Sequence, residues 1–136
     1  MIGLLILAEK NLGAGLIATV AHTLGGRPPQ LEATEFDHSA PPELIETSLR
    51  QSIQKVERGE GVLILADVYG ATHTNIACRQ LKRGTIELIT GVNLPMLLRV
   101  LNYRHSAMDD LIDKALSGGC GGIICAGNPA NLEGKK

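Results

Sequence analysis

Two acidic residues stand where short apolar runs stop. Glu9 follows Ile2–Ala8, and Asp67 follows Gly61–Ala66. A glycine-containing helix start comes soon after each, which is where an α/β protein puts working side chains. Behind Asp67, the stretch Gly70–Ala71–Thr72 lets backbone N–H groups point one way at the start of a helix, an arrangement that suits an anion. Thr72, Thr74 and Asn75 add hydroxyl and amide partners. A second reading of the same residues is a capped helix with Asp67 hydrogen-bonded to its own loop. His73 lies in this loop, and its type and place suit either a solvent-facing loop histidine or a ligand contact. Glu9, Asp67 and His73 are also ordinary metal-ligand types. Nothing in their spacing enforces a metal site, so neither metal nor cofactor is expected. His22, His38 and His105 read as surface residues, and Cys78 as a small buried apolar one.

The elements that must hold these residues alternate in type. Ile2–Ala8 and Gly61–Ala66 are continuous apolar runs of strand length, as in buried parallel strands. Leu12, Leu16, Ile17, Val20, Ala21 and Leu24 recur at helical spacing and stop at Gly25–Gly26. A weaker strand over Gln30–Phe36 follows Pro28–Pro29. Ser39 is a candidate cap for a helix whose stripe is Leu44, Ile45, Leu49, Ile53 and Val56, ending at Gly59. A short helix runs to about Leu81, and Thr85–Val92 is a fourth strand. Two helices are expected around Pro95–Tyr103 and Ala107–Leu116. The second has a capping-box-like Ser106 and Asp109 and ends at Gly118–Gly119. The run "GGIICAG" is fit for one more strand, and a loose polar tail follows at 128–136. The pattern predicts one α/β domain over residues 1–127: an open, mainly parallel sheet with helices on both faces and right-handed crossovers.

Composition narrows the function classes. The chain has 136 residues and a net charge of −1, with 2% aromatics and no Trp. It therefore lacks the basic stripe and stacking platform of a nucleic-acid binder. Three cysteines without metal-type spacing suit a reducing compartment. The apolar start is too short for a signal peptide or a membrane span. A cytoplasmic protein without membrane insertion is expected.

Four stretches together carry a resemblance: "LGAGLIATVAHTLGG", "GVLILADVYGATHTNIACR", "ITGVNLPMLLRVL" and "ALSGG". The chain resembles, from about Met1 to Ile124, the IIA component of the mannose-type bacterial sugar phosphotransferase system. It looks closest to the small stand-alone IIA proteins of proteobacteria. The resemblance implies a phosphoryl carrier between the histidine phosphocarrier protein and a IIB component, or a regulatory stand-alone member. In that family a histidine ending the first strand accepts the phosphoryl group. An aspartate ending the third strand orients it, and the following loop cradles the phosphate. Asp67 and Gly70–Asn75 match the last two elements, with Gly70, Ala71, Thr72, Thr74 and Asn75 as the expected phosphate ligands.

The acceptor does not match. Members read "THG" where this chain reads Ala8–Glu9–Lys10, so Glu9 stands in the phosphoacceptor place. A phosphorylated carboxylate is an acyl phosphate, which hydrolyses quickly, and Glu9 and Asp67 would repel. Lys10 is expected to offset that pair. Phosphorylation is therefore expected to be impaired, and a non-catalytic regulatory or binding module that keeps the IIA surface is the alternative. His73 stands where the family has proline ("GATP" becomes "GATH"), which makes it a candidate substitute acceptor beside its reading as a solvent-facing loop residue. The resemblance also implies a homodimer with the C-terminal strand exchanged between subunits.

Overall fold

Seven consecutive buried residues, Ile2–Ala8, need apolar cover on both sides, and the architecture supplies it. The structure, a computed structural model, describes residues 1–37 and 39–128. Four strands, β1 (Gly3–Glu9), β2 (Leu31–Phe36), β3 (Val62–Ala66) and β4 (Ile86–Thr90), alternate with five helices. These are α1 (Leu12–Leu24), α2 (Pro42–Val56), α3 (Thr72–Cys78), α4 (Leu94–Leu101) and α5 (Met108–Gly121). The sheet is parallel throughout, in the order β2-β1-β3-β4. It is the open α/β fold expected from the sequence. No helix among the described residues is long and apolar enough to cross a membrane.

The period of two along each strand divides the core. Leu4, Ile6 and Ala8 join Leu63 and Leu65 under α1, α4 and α5. Leu5, Leu7, Val62, Ile64 and Ala66 face α2 and α3 instead, meeting Ile45, Leu49 and Ile76. The same alternation carries Glu9, two residues beyond Leu7, to the α2–α3 side at the carboxyl end of the sheet. Far from that end, the buried Arg104 guanidinium donates to Ile2 O, Pro29 O and Gln30 O at 3.1, 2.5 and 2.6 Å. It ties the start of β1 to the turn before β2. Burial lowers its pKa to about 10, which leaves it charged at neutral pH.

Several local expectations are corrected. The double glycine at 118–119 does not end α5, which runs on to Gly121. A Cβ on Gly118 would lie 2.7 Å from Arg99 Cβ, and one on Gly119 2.8 Å from Met96 Cε. These glycines allow α5 to approach α4 closely, and that contact outweighs their low helix propensity. Of the run "GGIICAG", Gly121 closes α5 and residues 122–127 form no strand. Ile123 and Ile124 beyond the helix are exposed.

Ser106 is not a cap, since α5 has Ala107 at its N-cap and no side-chain cap bond. Nor does Ser39 cap α2, which starts behind Pro41. Helix α2 stops at Val56 rather than Gly59, and Glu57 Oε1 then accepts from the Gly59 and Gly61 N–H groups. Leu44 leaves the predicted stripe and is exposed. Cys78 is exposed rather than buried, because α3 presents Ile76 and Ala77 to the core instead. The expected loose tail lies, but for Asn128, outside the described residues, as does His38.

Candidate functional site

The chain leaves β1 towards β2 on one side and adds β3 on the other, so the sheet order reverses between β1 and β3. The carboxyl ends of these two strands frame the crevice in which such sheets hold ligands. Glu9 is the last residue of β1 and pairs in register with Phe36, the last of β2. The turn behind it is pinned by two N–H donors: Lys10 to Phe36 O at 2.8 Å and Asn11 to Glu35 Oε2 at 2.9 Å. Asn11 itself is left-handed, with φ 79°, a conformation asparagine tolerates. Lys10, expected to offset the Glu9–Asp67 pair, has an ion pair with Asp37. Its Nζ is 3.9 Å from Asp37 Oδ1, an exposed pair worth little.

On the other strand, Val92 N–H donates to Ala66 O and Gly91 N–H to Asp67 O, at 2.9 and 3.1 Å. These bonds hold the backbone that carries Asp67. Its Oδ1 accepts from Val68 N–H at 2.8 Å, a bond within its own loop, but α3 has no side-chain cap, so only half of the capped-helix reading holds. Gly70, at φ 85°, makes the turn into α3 that a residue with a Cβ would resist. The first backbone bond into α3 runs from Asn75 N–H to Ala71 O, and the preceding N–H groups of Thr72, His73 and Thr74 have no intrahelical acceptor. Thr74 Oγ1 donates inward to Ala71 O at 2.9 Å and the residue is fully buried. Its hydroxyl is therefore turned away from any ligand in the crevice. Thr72 and Asn75 are exposed.

His73 departs furthest from expectation. It is 7% exposed, not solvent-facing. Its Nε2 lies 2.5 Å from Asp67 Oδ1, and its ring packs on Phe36 with centroids 4.6 Å apart and planes tilted by 44°. As the second residue of α3, it is aimed back over the strand ends instead of outward. A tightly held imidazole–carboxylate pair is the arrangement that fixes a tautomer and leaves the other ring nitrogen to act.

Glu9, Asp67 and His73 come together as walls of one cavity of about 480 Å³. Phe36, Ile45 and Val68 supply part of its apolar lining. Glu9 and Asp67 carry the fixed charge of the described lining, which includes no Lys or Arg. A phosphoryl group entering here would meet two carboxylates, offset by backbone N–H groups and the imidazole. No group of three or more metal-ligating residues occurs among the described residues. His22 and His105 are exposed and lie apart from this cavity.

Comparison with known proteins bears on the family and the fold. A family model described as "PTS system fructose IIA component" matches residues 3–116. The PTS system fructose-specific EIIA component of Bacillus subtilis (strain 168) is 34% identical over 77 residues, 54% of this chain and 53% of that protein. The match thus spans about half the length of that relative. Among solved structures, phosphotransferase system component EIIA from Streptococcus agalactiae superposes with a TM-score of 0.82 at 22% identity, covering 93% of this chain and 98% of that one. The mannose/sorbose specific IIA subunit from Enterococcus faecalis gives 0.79 at 15% identity, covering 90% and 92%. At these identities the structures speak for the fold.

Proposed function

The chain belongs to the mannose-type IIA family of the sugar phosphotransferase system, and from that premise we propose that it docks the histidine phosphocarrier protein at the Glu9–Asp67 crevice, with position 9 no longer able to accept a phosphoryl group. The observation that carries this reading is the convergence of Glu9, Asp67 and His73 on one cavity at the carboxyl ends of β1 and β3. Glu9 occupies the strand end where the family places its histidine. As an anion it repels the incoming group, and an acyl phosphate formed on it would be short-lived. The Gly70–Asn75 loop cradles the phosphate through the N–H groups of Thr72, His73 and Thr74. The hydroxyl of Thr74 takes no part, being bonded to Ala71 O.

A IIB component or a regulatory target is the onward partner, and the setting is the cytoplasm. A homodimer forms by exchange of the segment after α5. Support for this comes from the exposed Ile123 and Ile124 and from β4, the edge strand of the described sheet, whose Ile86 is bridged by Lys82.

Incubation with phosphoenolpyruvate, the phosphocarrier protein and its upstream kinase tests the role of position 9. Glu9→His should gain a phosphoryl group on residue 9 that mass spectrometry can map, whereas the unaltered chain should carry none on Glu9. An alkali-labile, hydroxylamine-sensitive phosphoryl group on Glu9 would refute it.

A further inference from the structure

We infer that His73 is the phosphoryl acceptor of this protein, with Asp67 as its positioning residue and Nδ1 as the nucleophilic atom; this rests on the reading of the chain as a phosphotransferase module and assigns that module its reacting group. The end of β1 presents a carboxylate, Glu9, while the imidazole of the crevice stands on α3, bonded to Asp67. Nε2 lies 2.5 Å from Asp67 Oδ1, and because a carboxylate accepts and does not donate, we assign the ring proton to Nε2. That leaves the Nδ1 lone pair available for attack. The Phe36 ring at 4.6 Å restrains rotation of the imidazole. No other described histidine has a carboxylate partner of this kind within a cavity: His22 and His105 are exposed. Glu9 and Thr72 are the competing nucleophiles of the lining. The first gives a labile acyl phosphate, and the second is a hydroxyl of far weaker nucleophilicity than a neutral imidazole at neutral pH.

The step balances without a further reactant. The donor is a phosphohistidine protonated on its other ring nitrogen. As the bond from phosphorus to Nδ1 of His73 forms, the donor P–N bond breaks and its electron pair returns to the donor nitrogen. The donor leaves as neutral imidazole. The proton on Nε2 of His73 stays in place, so the phosphorylated ring carries a positive charge that Asp67 faces directly. Asp67 thus holds the tautomer before transfer and the cation after it.

Potassium phosphoramidate tests His73 apart from any protein partner, since it phosphorylates imidazole nitrogen with loss of ammonia. The full chain is treated at neutral pH and the product is mapped by tandem mass spectrometry under alkaline conditions. The expected result is an acid-labile, alkali-stable phosphoryl group on His73, formed faster than on His22 or His105. It should be absent in His73→Gln, at least tenfold slower in Asp67→Asn, and faster in Glu9→Gln, where repulsion is relieved. Because the modified site is mapped in the unaltered chain, a poorly folding variant does not blunt the test. Labelling of the exposed histidines with His73 untouched would overturn the assignment, as would an unchanged rate in a folded Asp67→Asn chain. A parallel reaction uses the phosphorylated phosphocarrier protein as donor. Labelling of His73 by both donors supports the assignment and the module reading together. Labelling by phosphoramidate alone keeps His73 as the reactive group and refutes the phosphocarrier as its donor.

Discussion

Replacing Asp67 separates the charge of the pair from its hydrogen bonding. Asp67 Oδ1 accepts from Val68 N–H at 2.8 Å and contacts His73 Nε2 at 2.5 Å, with the His73 side chain 9% exposed and that of Asp67 20%. In Asp67→Asn the amide oxygen still accepts both bonds, so what is lost is the charge assistance, about 1 kcal/mol. In Asp67→Ala both acceptors go, and a buried imidazole N–H is left without a partner. The expected cost is about 2–3 kcal/mol, from a lost bond plus the desolvation penalty of an unsatisfied group. For a domain of this size the two variants should melt lower by about 3 °C and about 6–9 °C. Urea titration should give the same ranking with unchanged slopes. Equal losses in Asn and Ala, or no loss in Ala, would refute a buried and fully engaged His73.

Gly118→Ala forces a methyl group to 2.7 Å from Arg99 Cβ; overpacking should exceed the gain in helix propensity and destabilise the chain by about 1 kcal/mol net. Gly15→Ala, with nothing within 4 Å of the new carbon, should instead stabilise α1 by about 0.5–1 kcal/mol, and denaturant midpoints of the two variants should move in opposite directions. Arg104→Met removes the donor from three backbone carbonyls and should cost about 3 kcal/mol or more, read from the same titration, while Arg104→Lys recovers only part because an ammonium cannot span them. Sedimentation at micromolar concentration should give a dimer mass, and truncation after Gly121 should convert it to monomer.

Much of this architecture is readable from residue order because burial on two sides leaves an unbroken apolar signature. Ile2–Ala8 and Gly61–Ala66 announce β1 and β3, and the acids that end them fall at the crevice for the same reason. The placement of His73 is not readable. It depends on where α3 begins: with Thr72 as its first residue, the next side chain swings back onto Asp67 and Phe36. A start one residue away would turn it by about 100°, since a helix makes a turn every 3.6 residues. The end of α5 was hidden likewise. A glycine pair reads locally as a stop, and only the close approach of α4 shows that small residues are needed there inside the helix. Cys78 and Leu44 each sit one helical position off the face that the packing selects, next to the buried Ala77 and Ile45, and an apolar pattern alone does not separate such neighbours.

Docking at the Glu9–Asp67 crevice is tested most directly by titrating the isotope-labelled chain with unphosphorylated histidine phosphocarrier protein and following backbone amide resonances. Shifts should concentrate at Glu9–Leu12 and Asp67–Asn75, along the carboxyl ends of β1 and β3. They should be reproduced in His73→Gln, since docking does not require the reacting nitrogen. Shifts confined to the opposite end of the sheet, around Ile2 and Arg104, or none at all with the partner in excess, would contradict it.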